Sequence, residues 1–231
     1  MYKYIKESVI RLQESPMEKS FYDVPIIIKD PFLSNINYHN CFEELKKYIP
    51  YSLVKDLDSI YVGQFKHLNS KGLLASYDEN VIYVNNIQPS DTELKLSIIH
   101  EFAHVAEDKF GIEIYGDRLL KKEFSKKRMW LYDFLRFHHK EIVDLPSIEK
   151  FMNIEYDRDF DGFLQNLGYD FLLMNTAGVF PSAYSITDIG EYWSVGWERI
   201  VSKMEGEAHS LKKYCPELFN RVMMVKELTE E

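Results

Sequence analysis

Residues 91–109 constrain the fold of this chain more than any other stretch. Pro89, Ser90 and Asp91 supply helix-start signals, and Leu94, Ile98, Ile99, Phe102, Val105 and Ala106 fall on one broad apolar face at about 100° per residue. The pattern predicts an amphipathic helix running to about Lys109 and ended by Gly111. Roughly opposite the apolar face stand His100 and His104, which with Glu101 between them form an H-E-x-x-H sequence. Residues four apart lie about 40° apart around a helix, so both imidazoles can reach one metal ion while the intervening carboxylate sits beside the metal's water. One face of this helix must therefore pack on a core while the other faces a cleft.

Around that helix the chain divides in two. Residues 24–28 read as a short buried strand, 40–48 as a helix stopped by Pro50, and 59–65 as a second strand. Residues 71–75 and 80–84 flank a turn-like Ser76–Glu79 segment and predict a hairpin. After the metal-motif helix, long helical patterns cover 117–140 and 147–167, a Gly/Pro/Ser/Asn-containing loop covers 175–185, and a last helix pair covers 188–204 and 216–227. Residues 1–14 read as an amphipathic helix. Strands before residue 90 and helices after it predict an α+β fold, with a small mixed or antiparallel sheet and a mostly helical C-terminal half, in preference to a βαβ parallel sheet. The expected organisation is a single domain over 1–231, with 1–58 as an N-terminal extension and 115–181 as a helical insertion.

Composition narrows the function classes. With 45% hydrophobic and 15% aromatic residues, a 231-residue chain can fill a core. Its 28 Lys+Arg against 37 Asp+Glu give a net charge of -9, which opposes nucleic acid and anionic bilayers as partners. No apolar run approaches the roughly 18 residues a membrane span needs, and residues 1–16 contain no apolar signal-peptide core. The only two cysteines, Cys41 and Cys215, are expected to be thiols.

A catalytic zinc takes three protein ligands and leaves a position for water. The metzincin arrangement is excluded, because Glu107 and Phe110 occupy the positions it requires as Gly and His. A Glu from a second helix is then the expected third ligand, with Glu113, Glu123, Glu141, Glu155, Glu191, Glu198 and Glu205 as candidates. On the 188–204 helix, Trp193, Trp197, Ile200 and Met204 form an apolar stripe from which Glu191 points nearly away. The competing reading of Glu191 is a capping box, with Asp188 as N-cap and Glu191 at the third helical position.

Three segments together resemble the anthrax lethal factor and Pro-Pro endopeptidase group of zinc peptidases. Asn69-Ser70-Lys71-Gly72-Leu73 with Asn80-Val81-Ile82-Tyr83 is similar to that family's edge-strand region, and residues 99–108 to its metal helix. Ser182-Ala183-Tyr184 followed by Glu191-Tyr192-Trp193 resembles its second-helix signature, a Tyr seven residues before the ligand Glu. The resemblance covers about half the chain. It implies a zincin-like zinc endopeptidase in which His100, His104 and Glu191 hold one Zn²⁺, Glu101 is the general base and Tyr184 donates a hydrogen bond in catalysis. An extended peptide substrate is expected to add to the sheet edge near Leu73 or Ile82. Two departures stand out: Val195 occupies the position of the family's further carboxylate, and 91 residues separate His100 from Glu191. Relatives are secreted, whereas this chain displays no export signal.

Two other classes compete. A prophage or stress-response zinc peptidase that cleaves a repressor would take its third ligand elsewhere than Glu191. A non-catalytic peptidase-fold binding module would have no need of Glu101. Outside the motif, His138 and His139 and the basic run from Lys121 to Arg128 read as solvated, whereas Trp130, Tyr132, Phe134, Leu135 and Phe137 read as packing for the insertion, or as a binding surface if exposed.

Overall fold

The computed structural model describes residues 20–230 except 34, 140, 141, 143, 204 and 205; the helix expected over 1–14 lies outside the described residues, as do Glu141, Met204 and Glu205. Contacts group the chain into two units, 1–98 and 99–231.

The first unit is built on a five-stranded mixed sheet in the order β1-β2-β3-β5-β4. Its strands are β1 (Ser20–Phe21), β2 (Val24–Ile28), β3 (Ser59–Gly63), β4 (Ala75–Asp78) and β5 (Val81–Asn85). β3 is buried at every residue and lies between parallel neighbours β2 and β5. Three parallel strands correct the argument against parallel pairing. The segment between β2 and β3 contains helices α1 (Tyr38–Leu45) and α2 (Tyr51–Val54), a connection long enough to return the chain in the same direction. Residues 20–58, read from sequence as part of an extension, supply β1 and β2 to this sheet.

The hairpin forms as β4 antiparallel to β5, but its turn lies later than expected. Glu79 and Asn80 both have positive φ (46° and 64°), a two-residue turn whose twist suits a hairpin, so Ser76–Asp78 belong to the strand. Lys71 instead closes α3 (Lys66–Lys71), which ends at Gly72 with φ 67°. Ile82, expected near an edge, lies on β5 between β3 and β4; β4 is the edge strand.

Helix α4 spans Asp91–Tyr115 and buries all six residues assigned to its apolar face. The expected end at Lys109–Gly111 coincides with a kink. Phe110 leaves helical geometry (φ -119°, ψ 25°), and the helix then runs on for another turn. That turn has its own anchors: Ile114 is buried, and the Tyr115 hydroxyl donates back to Glu107.

The second unit, beyond α4, is helical. It contains α5 (Leu119–His138), α6 (Ile148–Met152), α7 (Arg158–Leu167), α8 (Tyr169–Thr176), α9 (Ile189–Val201), α10 (Glu207–Tyr214) and α11 (Pro216–Glu230). The single helix expected over 147–167 is two, because Asp157 caps a fresh start by accepting from the amides of Asp159 and Phe160. Helices α8 and α10 were not anticipated. α9 and α11 approach closely at Gly196, where a Cβ would fall 2.6 Å from Leu218. Glu123 of α5 accepts from the backbone amides of Glu217 and Leu218 and from the Tyr192 hydroxyl, tying α5 to both.

Of the basic run on α5, Lys122 and Lys126 are exposed as expected, but its C-terminal end is not a solvated face. Arg128 is fully buried, its guanidinium 3.9 Å from the Phe160 ring centre and donating to the carbonyls of Lys150 and Thr187. Lys127 donates to the carbonyls of Val179 and Tyr214. His139 likewise packs edge-on against Phe171 at 4.9 Å, although His138 is exposed. Of the α5 aromatic set, Trp130 and Phe137 remain exposed. Cys41 and Cys215 are both free and buried.

Candidate metal centre

His100 and His104 project one turn apart from α4, with ring centres 5.4 Å apart. The third group arrives on α9. Asp188 caps that helix by accepting from the Glu191 amide at 2.9 Å, as the capping reading required. The Glu191 carboxylate does not complete the box by turning back. One oxygen lies 3.1 Å from His100 Nε2, and the other accepts from the Tyr184 hydroxyl at 3.2 Å. The Asp188 cap and the turn of the Glu191 carboxylate toward His100 therefore coexist, on different atoms.

The two helices are held in register by a buried bond: the Trp193 indole N–H donates to the Ala103 carbonyl at 2.9 Å. Ala103 lies between the two histidines in sequence, and Trp193 lies two residues after Glu191, so this bond sets the ligands' relative height. Trp193 also packs on Trp197, and both are buried, as the apolar stripe predicted.

His100, His104 and Glu191 form a set of donors, one nitrogen or oxygen from each, lying within 4.8 Å of one another. Two atoms bound at about 2.0–2.2 Å to a tetrahedral ion sit roughly 3.3 Å apart. The 3.1 Å separation of His100 Nε2 and Glu191 Oε2 is an edge of that size, and two imidazoles with one carboxylate suit a divalent metal. The donor set fits.

Both imidazoles are backed by carboxylates on their other nitrogen. His100 Nδ1 lies 3.2 Å from Glu198, and His104 Nδ1 lies 3.2 Å from Glu107, which in turn accepts from Tyr115. Ser194, buried on α9, places its hydroxyl 3.3 Å from the Glu191 carboxylate. Glu101 is 7% exposed and close enough for its charge to act on both imidazoles.

The electrostatics favour a cation here. Burial pushes the His100 imidazolium down, but its bonds to Glu191 and Glu198 and the Glu101 charge outweigh burial and lift its pKa to about 10. His104 is raised in the same way, with Glu107 as the main opponent of burial. Burial alone would raise Glu191; the two histidines and Tyr184 bring it below the usual carboxylate range. Tyr184 is held firmly as a neutral phenol by burial and by the Glu191 charge.

Of the candidate third ligands, only Glu191 joins the donor set among the described residues. Glu123 is engaged in helix capping, and Glu198 stands behind His100. No local pattern signals that Glu107 and Tyr115 pair across the Phe110 kink. Glu198 had one available signal, its seven-residue spacing from Glu191, which puts both on one face of α9. Tyr169, whose ring centre lies 6.4 Å from that of Tyr184, was also missed. Comparisons with protein-family models, curated proteins and solved structures found no match.

Proposed function

We propose that this chain is a zinc-dependent endopeptidase of zincin-like architecture that hydrolyses peptide bonds in a protein substrate. The observation that carries the reading is the meeting of Glu191 with His100 beside Glu101, with the Tyr184 hydroxyl on the same carboxylate. Zn²⁺ bound at this set would polarise a scissile carbonyl and acidify a water molecule. Glu101, next to His100 and nearly buried, takes the water proton and returns it to the leaving amine. Tyr184, neutral and already oriented by Glu191, donates a hydrogen bond to the developing oxyanion. The resemblance to the lethal factor and Pro-Pro endopeptidase group is consistent with these roles. A repressor-cutting peptidase with its third ligand elsewhere is disfavoured by the same Glu191 contacts.

Zinc analysis of the purified chain, read beside cleavage of a mixed peptide library, tests the proposal. The parent is expected to hold one zinc per chain and to cleave. Glu101→Gln is expected to retain zinc and lose on the order of 10²–10⁴ in turnover. Full activity in Glu101→Gln would remove the general base from the mechanism; a parent without zinc or cleavage would overturn the reading in favour of a binding module.

A further inference from the structure

We infer that Glu198 is the positioning carboxylate of the metal centre: it fixes the tautomer and ring plane of His100, a task for which Val195 has no suitable atom. The inference rests on the metal-centre reading above and adds a residue to it. Glu191 and Glu198 are two turns apart on α9, about 10 Å along the axis and only about 20° apart around it. His100 lies lengthwise across this gap. Its Nε2 is 3.1 Å from Glu191 and its Nδ1 is 3.2 Å from Glu198, so a single imidazole is gripped by one helix at both nitrogens. When a metal takes the place of the Nε2 proton, Nδ1–H donated to Glu198 would leave the lone pair on Nε2, the nitrogen that faces Glu191.

Glu198 cannot serve as a further ligand in this arrangement, because it meets the ring at the nitrogen turned away from the donor set. Nor does the intermediate position on the helix offer the same contact. Val195 is about 40° around from Glu191 and 6% exposed, on a packed part of α9 where a carboxylate would be desolvated. Glu198 is more accessible, with 23% of its side chain exposed, and retains partial solvation while reaching His100. Its counterpart on the other imidazole, Glu107, comes from α4 itself and is steadied by Tyr115. The two histidines are thus oriented from different helices, and the α9 contribution is made by Glu198.

The test is zinc affinity, measured by competition with a chromophoric chelator, together with the visible absorption of the Co²⁺-loaded protein. Glu198→Ala is expected to weaken zinc about 10- to 100-fold and to alter the cobalt spectrum, while the metal-free variant still unfolds in a single cooperative transition. Glu198→Gln preserves side-chain shape and an acceptor for Nδ1–H, so it is expected to recover most of the affinity and the parent spectrum. If Glu198→Ala and Glu198→Gln both bind zinc as the parent does, the inference is overturned and the metal centre stands. If the parent takes up neither zinc nor cobalt, the metal-centre reading falls and takes this inference with it. Should Glu198→Ala fail to fold, the glutamine variant decides: parent-like zinc affinity and cobalt absorption support the positioning role, and a loss as large as 100-fold contradicts it.

Discussion

Helices α5 and α9 each bury charge or polar groups within an otherwise apolar packing scheme, yet they do so in opposite ways. On α5 the stripe Leu120, Phe124, Arg128, Leu131 and Leu135 places a fully buried guanidinium in line with aliphatic and aromatic side chains. Two backbone carbonyls and the Phe160 ring meet it, its buried Nε has no hydrogen-bond partner, and burial holds its pKa down to about 10 against the pull of Asp188 and Asp157, without discharging it at neutral pH. On α9 the apolar stripe is kept clean, and the carboxylates Glu191 and Glu198 stand off it, where they gather around His100. The first arrangement meets most of a buried positive charge with groups of the protein itself, leaving Nε unpartnered. The second concentrates negative charge and calls for a cation, whether a proton on imidazole or a metal ion.

That contrast can be broken experimentally. The largest effect is expected at Arg128→Met, which preserves bulk but leaves the Thr187 and Lys150 carbonyls without their donor. At roughly 1–3 kcal/mol for each orphaned group, the loss should reach about 3 kcal/mol by urea unfolding, with or without zinc. A loss under about 1 kcal/mol would mean that water replaces the guanidinium and that the site is not sealed.

Next is a pH effect confined to the metal-free protein. His100 has a folded pKa of about 10, above the ordinary imidazole value of 6.5, so its stabilising contribution is fully present below pH 6.5 and is lost as pH rises through about 10. Melting temperature of the metal-free chain should therefore fall across that window, while the zinc-loaded chain, whose imidazoles are already deprotonated, lacks this component. Parallel pH profiles for the two forms would show that the carboxylates around His100 do not stabilise its charge.

The smallest expected change is at Trp193→Phe, which removes the bond to the Ala103 carbonyl. Stability should drop by about 1–2 kcal/mol for the lost bond and packing, with weaker zinc binding as the ligand helices loosen. Unchanged zinc affinity would separate helix register from ligand geometry.

The parts legible in sequence were those governed by local periodicity. The apolar face of α4, the opposed histidines, the Trp193–Trp197 stripe and the Asp188 cap all follow from spacing along one helix. Tyr184 and Glu191, seven residues apart, meet in a hydrogen bond. What escaped depends on contacts between segments distant in sequence. Arg128 reads as a surface cation until Phe160 and the Lys150 carbonyl are brought to it. Parallel pairing of β2, β3 and β5 is likewise a property of the connections, and alternation within a strand does not report it. The extra turn after the Phe110 kink and the fresh helix start near residue 157 escaped because they rest on a tertiary anchor, Tyr115 on Glu107, and on a side-chain cap, Asp157.

The Trp193–Ala103 bond also bears on how the centre would be filled. Small zinc-dependent domains fold only as the metal binds, so stripping the ion collapses them and loading is as slow as folding. Here an indole, a carbonyl and a packed helix pair tie the two donor-bearing helices together through groups that are not themselves donors to the site. Chelation should therefore behave as a ligand-exchange reaction on a finished scaffold, reversible in place, so that supply of metal could switch the centre on and off over the lifetime of a single folded molecule.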